Sequence, residues 1–173
     1  MNIFVLNRDP LLAAINMCDK HVVKMIVEGC QMLSTIHRMA GSHVVYAPVD
    51  LYKMSFMNHP CTVWARHSVE NYMWLAHHTH ALSCEYTNRY KKTHKAFEMT
   101  YWFCRHVPTN IIHNNKLTPF AQAMPDQYKH EDAVVAYRQY YLGEKARFAK
   151  WKFGNVPAWF EQKNPMLGLE VAV

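Results

Sequence analysis

The stretch Cys18–Met39, C-D-K-H-V-V-K-M-I-V-E-G-C-Q-M-L-S-T-I-H-R-M, decides the fold class. Turned at about 100° per residue, it places Lys20, His21, Lys24, Glu28, Gln31, Thr35 and Arg38 on one arc roughly 100° wide. The remainder is almost wholly apolar or small, with Ser34 and His37 the exceptions. A surface helix normally shows the opposite proportion, an apolar stripe and a broad polar face. This helix is therefore expected to be buried around most of its circumference, with one narrow polar seam facing solvent or a cleft. Asp19 is the expected N-cap.

Upstream, Asn2–Leu6 reads as a short strand or an extended lead-in, and Asp9-Pro10 as a helix start with Asp as cap and Pro in the first turn. A short helix over Leu11–Met17 follows, with a break near Cys18-Asp19. Downstream, Ala40-Gly41-Ser42 ends the organising helix, and residues 43–57 read as loop with one short strand. Asn58-His59-Pro60 opens a second long helix, Pro60 to about Tyr90, whose amphipathic pattern predicts packing against the first. Lys91-Lys92-Thr93 marks a break, and Thr93 is placed to cap a shorter helix to about His106. Val107–Asp126 carries Pro108, Pro119 and Pro125 and no periodicity, and a loop of that length in a compact domain is usually functional. A last helix runs from near Asp132 to about Lys152, with Gly143 as a point of bending. The tail, residues 154–173, reads largely as coil. These elements make an all-α protein, a single compact domain over residues 1–173 with four to five helices and one long Pro/Asn-containing loop.

Composition narrows the function. A chain of 173 residues, half of them hydrophobic, is long enough for one real core. No apolar run approaches a membrane span, and the first residues are too polar for a signal peptide, so a cytoplasmic location is expected. The five cysteines are odd in number and never paired as C-x-x-C, which fits reduced thiols. A formal charge of +6 suits an anionic partner. Five glycines and no G-x-x-x-x-G-K-[ST] or G-x-G-x-x-G argue against a phosphate-binding loop.

Three constellations bear on chemistry. His21, Lys24 and Glu28, spaced by three and four, lie one above another on the seam. A desolvated lysine beside a carboxylate and an imidazole is a candidate amine nucleophile; the plainer reading is an exposed Lys24–Glu28 ion pair. His77, His80 and Cys84 share an arc of the second helix but match no metal-ligand spacing, so no metal or other cofactor is assigned. Basic residues interleave with aromatics in Tyr90-Lys91-Lys92-Thr93-His94-Lys95 and along the last helix, where Arg138, Lys145 and Lys152 recur every seven residues. Cations meet phosphates and rings stack on bases, so Lys91, Lys92, Lys95, Arg138, Lys145 and Lys152 are candidate DNA contacts, with Arg66 and Asn71 from the polar arc of the second helix.

The short N-terminal segment, Asp19-Lys20-His21 opening a helix, and Glu28 within it resemble the small phage pyrimidine-dimer DNA glycosylases, the endonuclease V family. Asn58-His59-Pro60 and the helix after it resemble that family's G-H-V element, and the aromatic stretch Trp151–Trp159 its C-terminus. The resemblance implies an all-α enzyme that binds duplex DNA, flips a nucleotide, attacks the sugar carbon with an amine and cleaves the strand by β-elimination. It implies that Glu28 stabilises the cationic sugar and manages protons, and that His21, Arg38 and His59 lie near DNA. Two features depart from the family: its His-to-Glu spacing is one residue shorter, and its amine belongs to a small residue exposed when the initiator Met is removed. Asn2 is bulky, so the amine here is that of Met1 or of Lys24. Two other readings of the residues stay open, an enzyme acting on a free nucleotide and a non-enzymatic nucleic-acid or host-protein binder.

Overall fold

A computed structural model describes residues 1–41 and 50–162. Among the described residues seven α-helices follow in chain order: α1 (Pro10–Ile15), α2 (Asp19–Ala40), α3 (Pro60–Ala65), α4 (Val69–Tyr90), α5 (Phe97–Arg105), α6 (Ala133–Tyr140) and α7 (Ala158–Glu161). No strand occurs among the described residues, and the all-α class stands. The strand expected within 43–57 falls partly on residues 42–49, outside the described residues, as does the end of the coil tail, 163–173.

α4 is the hub, with α1, α2 and α5 all packed on it. Val22, Ile26, Cys30, Leu33 and Ile36 of α2 meet Tyr72, Leu75 and Leu82 of α4 and Trp102 and Phe103 of α5 in one buried cluster. The two long helices pack closely at Gly29, where a Cβ would collide with the Thr79 side chain. Most of the circumference of α2 is buried.

Four local expectations are corrected, each by a stronger interaction. Asp19 is the first residue of α2 rather than its cap, and Cys18 occupies the cap position. The Asp19 carboxylate instead accepts from Arg89 Nη1 at 2.8 Å and from the Lys152 backbone N–H at 2.7 Å. The Arg89 guanidinium is fully buried; Glu85 Oε1 and the carbonyls of Ile15 and Met17 complete its shell. An unpaired buried charge costs several kcal/mol, about three times what a cap contributes, so the pair takes precedence.

The long helix expected over Pro60–Tyr90 is two helices. Ser68 caps α4 through the Asn71 backbone N–H, while the Asn71 side chain donates to Trp64 O at the end of α3, 2.8 Å. Thr93 caps nothing: Ala96 precedes α5, and the His94 ring accepts from its backbone N–H. The last helix is regular only to Tyr140 and then widens into a π-helical turn, Tyr141–Lys145, with the Tyr128 hydroxyl packed where a Cβ on Gly143 would lie. That turn breaks the seven-residue repeat of Arg138, Lys145 and Lys152 and sends the three side chains to different places.

Candidate active site

The N-terminal segment is the extended lead-in, buried at Ile3, Val5 and Leu6 and threaded between α2, α6 and the 107–126 loop. Asn2 pins it. Its side-chain N–H donates to Ala123 O at 2.8 Å, and its Oδ1 accepts from the backbone N–H groups of Ile3 and Phe4. Phe4 adopts a left-handed φ of 36° and stacks on His21 with ring centroids 4.5 Å apart. The long loop Val107–Asp126, expected from its length to be functional, has a structural use here. It ties down Asn2 and is itself tied to α4 by Glu70, which accepts from Asn114 and Asn115, and by Asn71. None of its residues lines the pocket.

That pocket, about 360 Å³, opens between the N-terminal segment, the first turns of α2, and the end of α6 with its π turn. Met1, Asn2 and Phe4 form one wall, Lys20, His21, Lys24, Met25 and Glu28 the floor, and Tyr140, Lys145 and Phe148 the far side. Glu28 is the only carboxylate among the described residues that line it. Oε2 lies 3.6 Å from the Met1 α-amine and accepts the Asn2 backbone N–H at 3.1 Å; Oε1 lies 3.1 Å from Lys24 Nζ. The Met1 side chain is 2% exposed and packs the residue in place beside Glu28, whereas the Lys24 side chain is 66% exposed, so the desolvation that a lysine nucleophile needs is missing at Lys24. Four cations, the Met1 amine, Lys20, Lys24 and Lys145, face one acid, the electrostatics of a site for an anionic ligand.

His21 is buried, and its Nδ1 lies 2.7 Å from the Tyr141 hydroxyl, which also accepts the Cys18 backbone N–H. Burial, reinforced by the charges of Lys145, Lys24 and Lys20, drives its pKa down to about 3, so the ring is neutral at physiological pH. His59 stands behind the amine. It caps α3 through Nδ1, and its pKa is lowered by burial and by the positive amino terminus, against the opposing pull of Glu28 and a hydrogen bond to the Met1 backbone.

The structure thus brings His21, Lys24, Glu28, His59 and Lys145 to one place and disperses the other candidates. Arg38 donates to Leu51 O and Tyr52 O, both at 2.7 Å, and holds residues 51–52 on α2. Arg66 donates to Met57 O, and Arg138 to Leu6 O at 3.0 Å with its guanidinium over the Trp159 ring. Asn71 is removed from the list of DNA contacts, because it is fully buried with its amide spent on Trp64 and Thr118. Lys91, Lys92, Lys95 and Lys152 are exposed. His80 and Cys84 approach to 3.7 Å, and no group of three metal-ligating side chains occurs among the described residues. Sequence reasoning missed Phe4, Tyr140, Tyr141 and Phe148. The one available signal was the aromatic strip of the last helix, where a buried Tyr141 needed a hydrogen-bond partner.

A family model for pyrimidine dimer DNA glycosylases matches residues 1–99. The chain belongs to the pyrimidine dimer DNA glycosylase family. The match takes in Met1, His21, Lys24, Glu28 and His59 and stops short of Tyr140, Lys145 and Phe148, so the far side of the pocket lies beyond it. No curated protein and no solved structure matches the chain. Family membership makes this a DNA glycosylase by class, with DNA as its substrate polymer. No helix among the described residues is long and apolar enough to cross a membrane.

Proposed function

We propose that the protein removes a damaged or modified pyrimidine from duplex DNA by amine attack and then cleaves the strand as a lyase, with the Met1 α-amine as nucleophile. The observation that carries this is the position of that amine at the pocket wall, 3.6 Å from Glu28, the only carboxylate among the described residues that line it. The Lys24 amine, by contrast, is exposed and paired with the other oxygen of the same carboxylate.

In the first step the amine nitrogen bonds to C1′ of a flipped nucleotide and passes a proton to Glu28, while the C1′–base bond breaks and the base leaves with the electron pair and gains a proton. The sugar ring then opens to a C1′=N iminium with O4′ protonated. Loss of a C2′ proton expels the 3′ phosphate, and water releases the amine. Glu28 also stabilises the positive charge that develops on the sugar. Lys20, Lys24 and Lys145 meet flanking phosphates. His21, held neutral by burial and oriented by Tyr141, positions the sugar without adding a charge.

Borohydride reduction during incubation with ultraviolet-damaged or abasic duplex tests this. The expected result is a covalent adduct that maps to the Met1 nitrogen, persists in Lys24→Ala and disappears when the α-amine is methylated beforehand. An adduct mapped to Lys24, or none with folded protein bound to DNA, overturns the assignment.

A further inference from the structure

Two of the four non-glycine residues with positive φ among the described residues are phenylalanines. Phe4 lines the pocket; Phe56, at φ 51°, lies outside it and is 64% exposed, the most exposed of the large hydrophobic side chains. Glycine or asparagine takes this backbone conformation far more readily than a residue with a bulky side chain. Such strain persists only where the surroundings over-determine it, and they do so here. Thr35 Oγ1 grips the preceding residue from both sides, donating to Ser55 O at 2.9 Å and accepting from Ser55 N–H at 3.0 Å. On the following side Phe56 O accepts the His59 N–H at 3.0 Å. His59 in turn faces the amino terminus, and Thr62, one turn further into α3, meets Met1 Sδ at 3.9 Å. Thr35 lies two helical turns beyond Glu28, about 10 Å along α2. An aromatic ring on a fixed backbone thus stands in water three residues before His59, which faces the amino terminus, with Met54 and Met57 exposed beside it.

Among the described residues no ring or cation stacks on this side chain, and its neighbours fix its backbone without burying it. A duplex substrate has to be unstacked before a nucleotide reaches a pocket of this size, and apolar side chains that enter a base step do that work. We propose that Phe56 is the wedge that enters the base stack beside the flipped nucleotide, a positioning residue for duplex substrates. This rests on the DNA-acting, amine-using reading above and deepens it. The ring touches no reacting atom; it holds the extruded state open.

The test separates unstacking from chemistry. Wild type, Phe56→Ala and Phe56→Trp are incubated with borohydride and an abasic site placed either in a duplex or in a single-stranded oligonucleotide, where there is no paired stack to open. Fluorescence of 2-aminopurine opposite the site reports unstacking. The expected result is that Phe56→Ala lowers the duplex-to-single-strand ratio of adduct at least about tenfold, with a weakened fluorescence rise, and that Phe56→Trp restores both. The exposed position predicts an unchanged melting temperature. If Phe56→Ala matches wild type on both substrates, the wedge is wrong and the amine reading stands. If it loses both substrates equally, the residue supports the site's structure and the wedge is again wrong. Failure of wild type to trap either substrate overturns the amine reading and the wedge with it.

Discussion

The two halves of α2 carry the same kind of polar residue at the same spacing and put it to opposite uses. In the first half, His21, Lys24 and Glu28 turn toward an open pocket and meet the amino terminus. In the second, Thr35 clips Ser55, Arg38 holds the carbonyls of residues 51 and 52, and His37 is buried against Tyr72 and Trp102. What differs is the neighbour. The extended N-terminal segment fills only part of the space above the first half, whereas the chain on the way to α3 lies directly on the second and takes up its donors and acceptors. A polar seam on a buried helix therefore marks where chemistry can be built; the element laid across it determines whether it is.

The largest expected effect breaks this comparison by exchanging equivalent changes between the halves. Glu28→Gln should lower turnover on damaged DNA by about a thousandfold, because a carboxamide neither takes a proton from the amine nor offsets the sugar cation. Its melting temperature should move little, since the amide still accepts from Asn2 N–H. Arg38→Met should do the reverse, with unchanged turnover per folded molecule and a loss of about 2 kcal/mol for two charge-assisted hydrogen bonds. Turnover and thermal melts on both variants decide it; a Glu28→Gln enzyme that melts early and turns over normally would make the first half structural as well.

A second effect concerns acid. His78 is buried against Trp74 with its Nδ1 bonded to Pro10 O, and burial lowers its pKa to about 4. His21 is depressed for the same reason. The unfolded chain binds protons near pH 6.5 and the folded chain only below these values. The neutral rings thus contribute fully above pH 6.5, and stability falls as pH drops through that value toward 4. For His78 alone this loss approaches about 3 kcal/mol. Denaturant midpoints measured from pH 7.5 to 4 should show the slope, and His78→Asn, which keeps an N–H for Pro10 and cannot be protonated in this range, should flatten it. An unchanged slope would exclude His78 as its source.

The smallest effect sharpens the comparison at the middle of α2, where its two halves meet. Gly29→Ala would drive a methyl into Thr79, at an expected cost of about 2 kcal/mol, and Thr79→Ala in the same chain should recover most of it. If the single variant also displaces the pocket, turnover falls with stability and the double variant restores both. A neutral Gly29→Ala would show that α2 and α4 can part without penalty.

The sequence by itself determined the helical class, the first long helix and the depth to which it is buried, because these follow from the period of hydrophobic residues over twenty or more positions. It also put His21, Lys24 and Glu28 on one line, since a helix places residues three and four apart on one face whatever surrounds it. It could not show that Asp19 serves Arg89, seventy residues away, that Asn71 closes α3 rather than meeting DNA, or that one lysine of an even sevenfold repeat enters the pocket while its companions do not. Nor could it choose between the Met1 amine and Lys24. The Met1 amine is brought to Glu28 because Asn2 is anchored by Ala123 and Met1 packs against α3, contacts far apart in the chain. Local periodicity fixes which way a side chain points from its own helix; only the packed chain fixes what it points at.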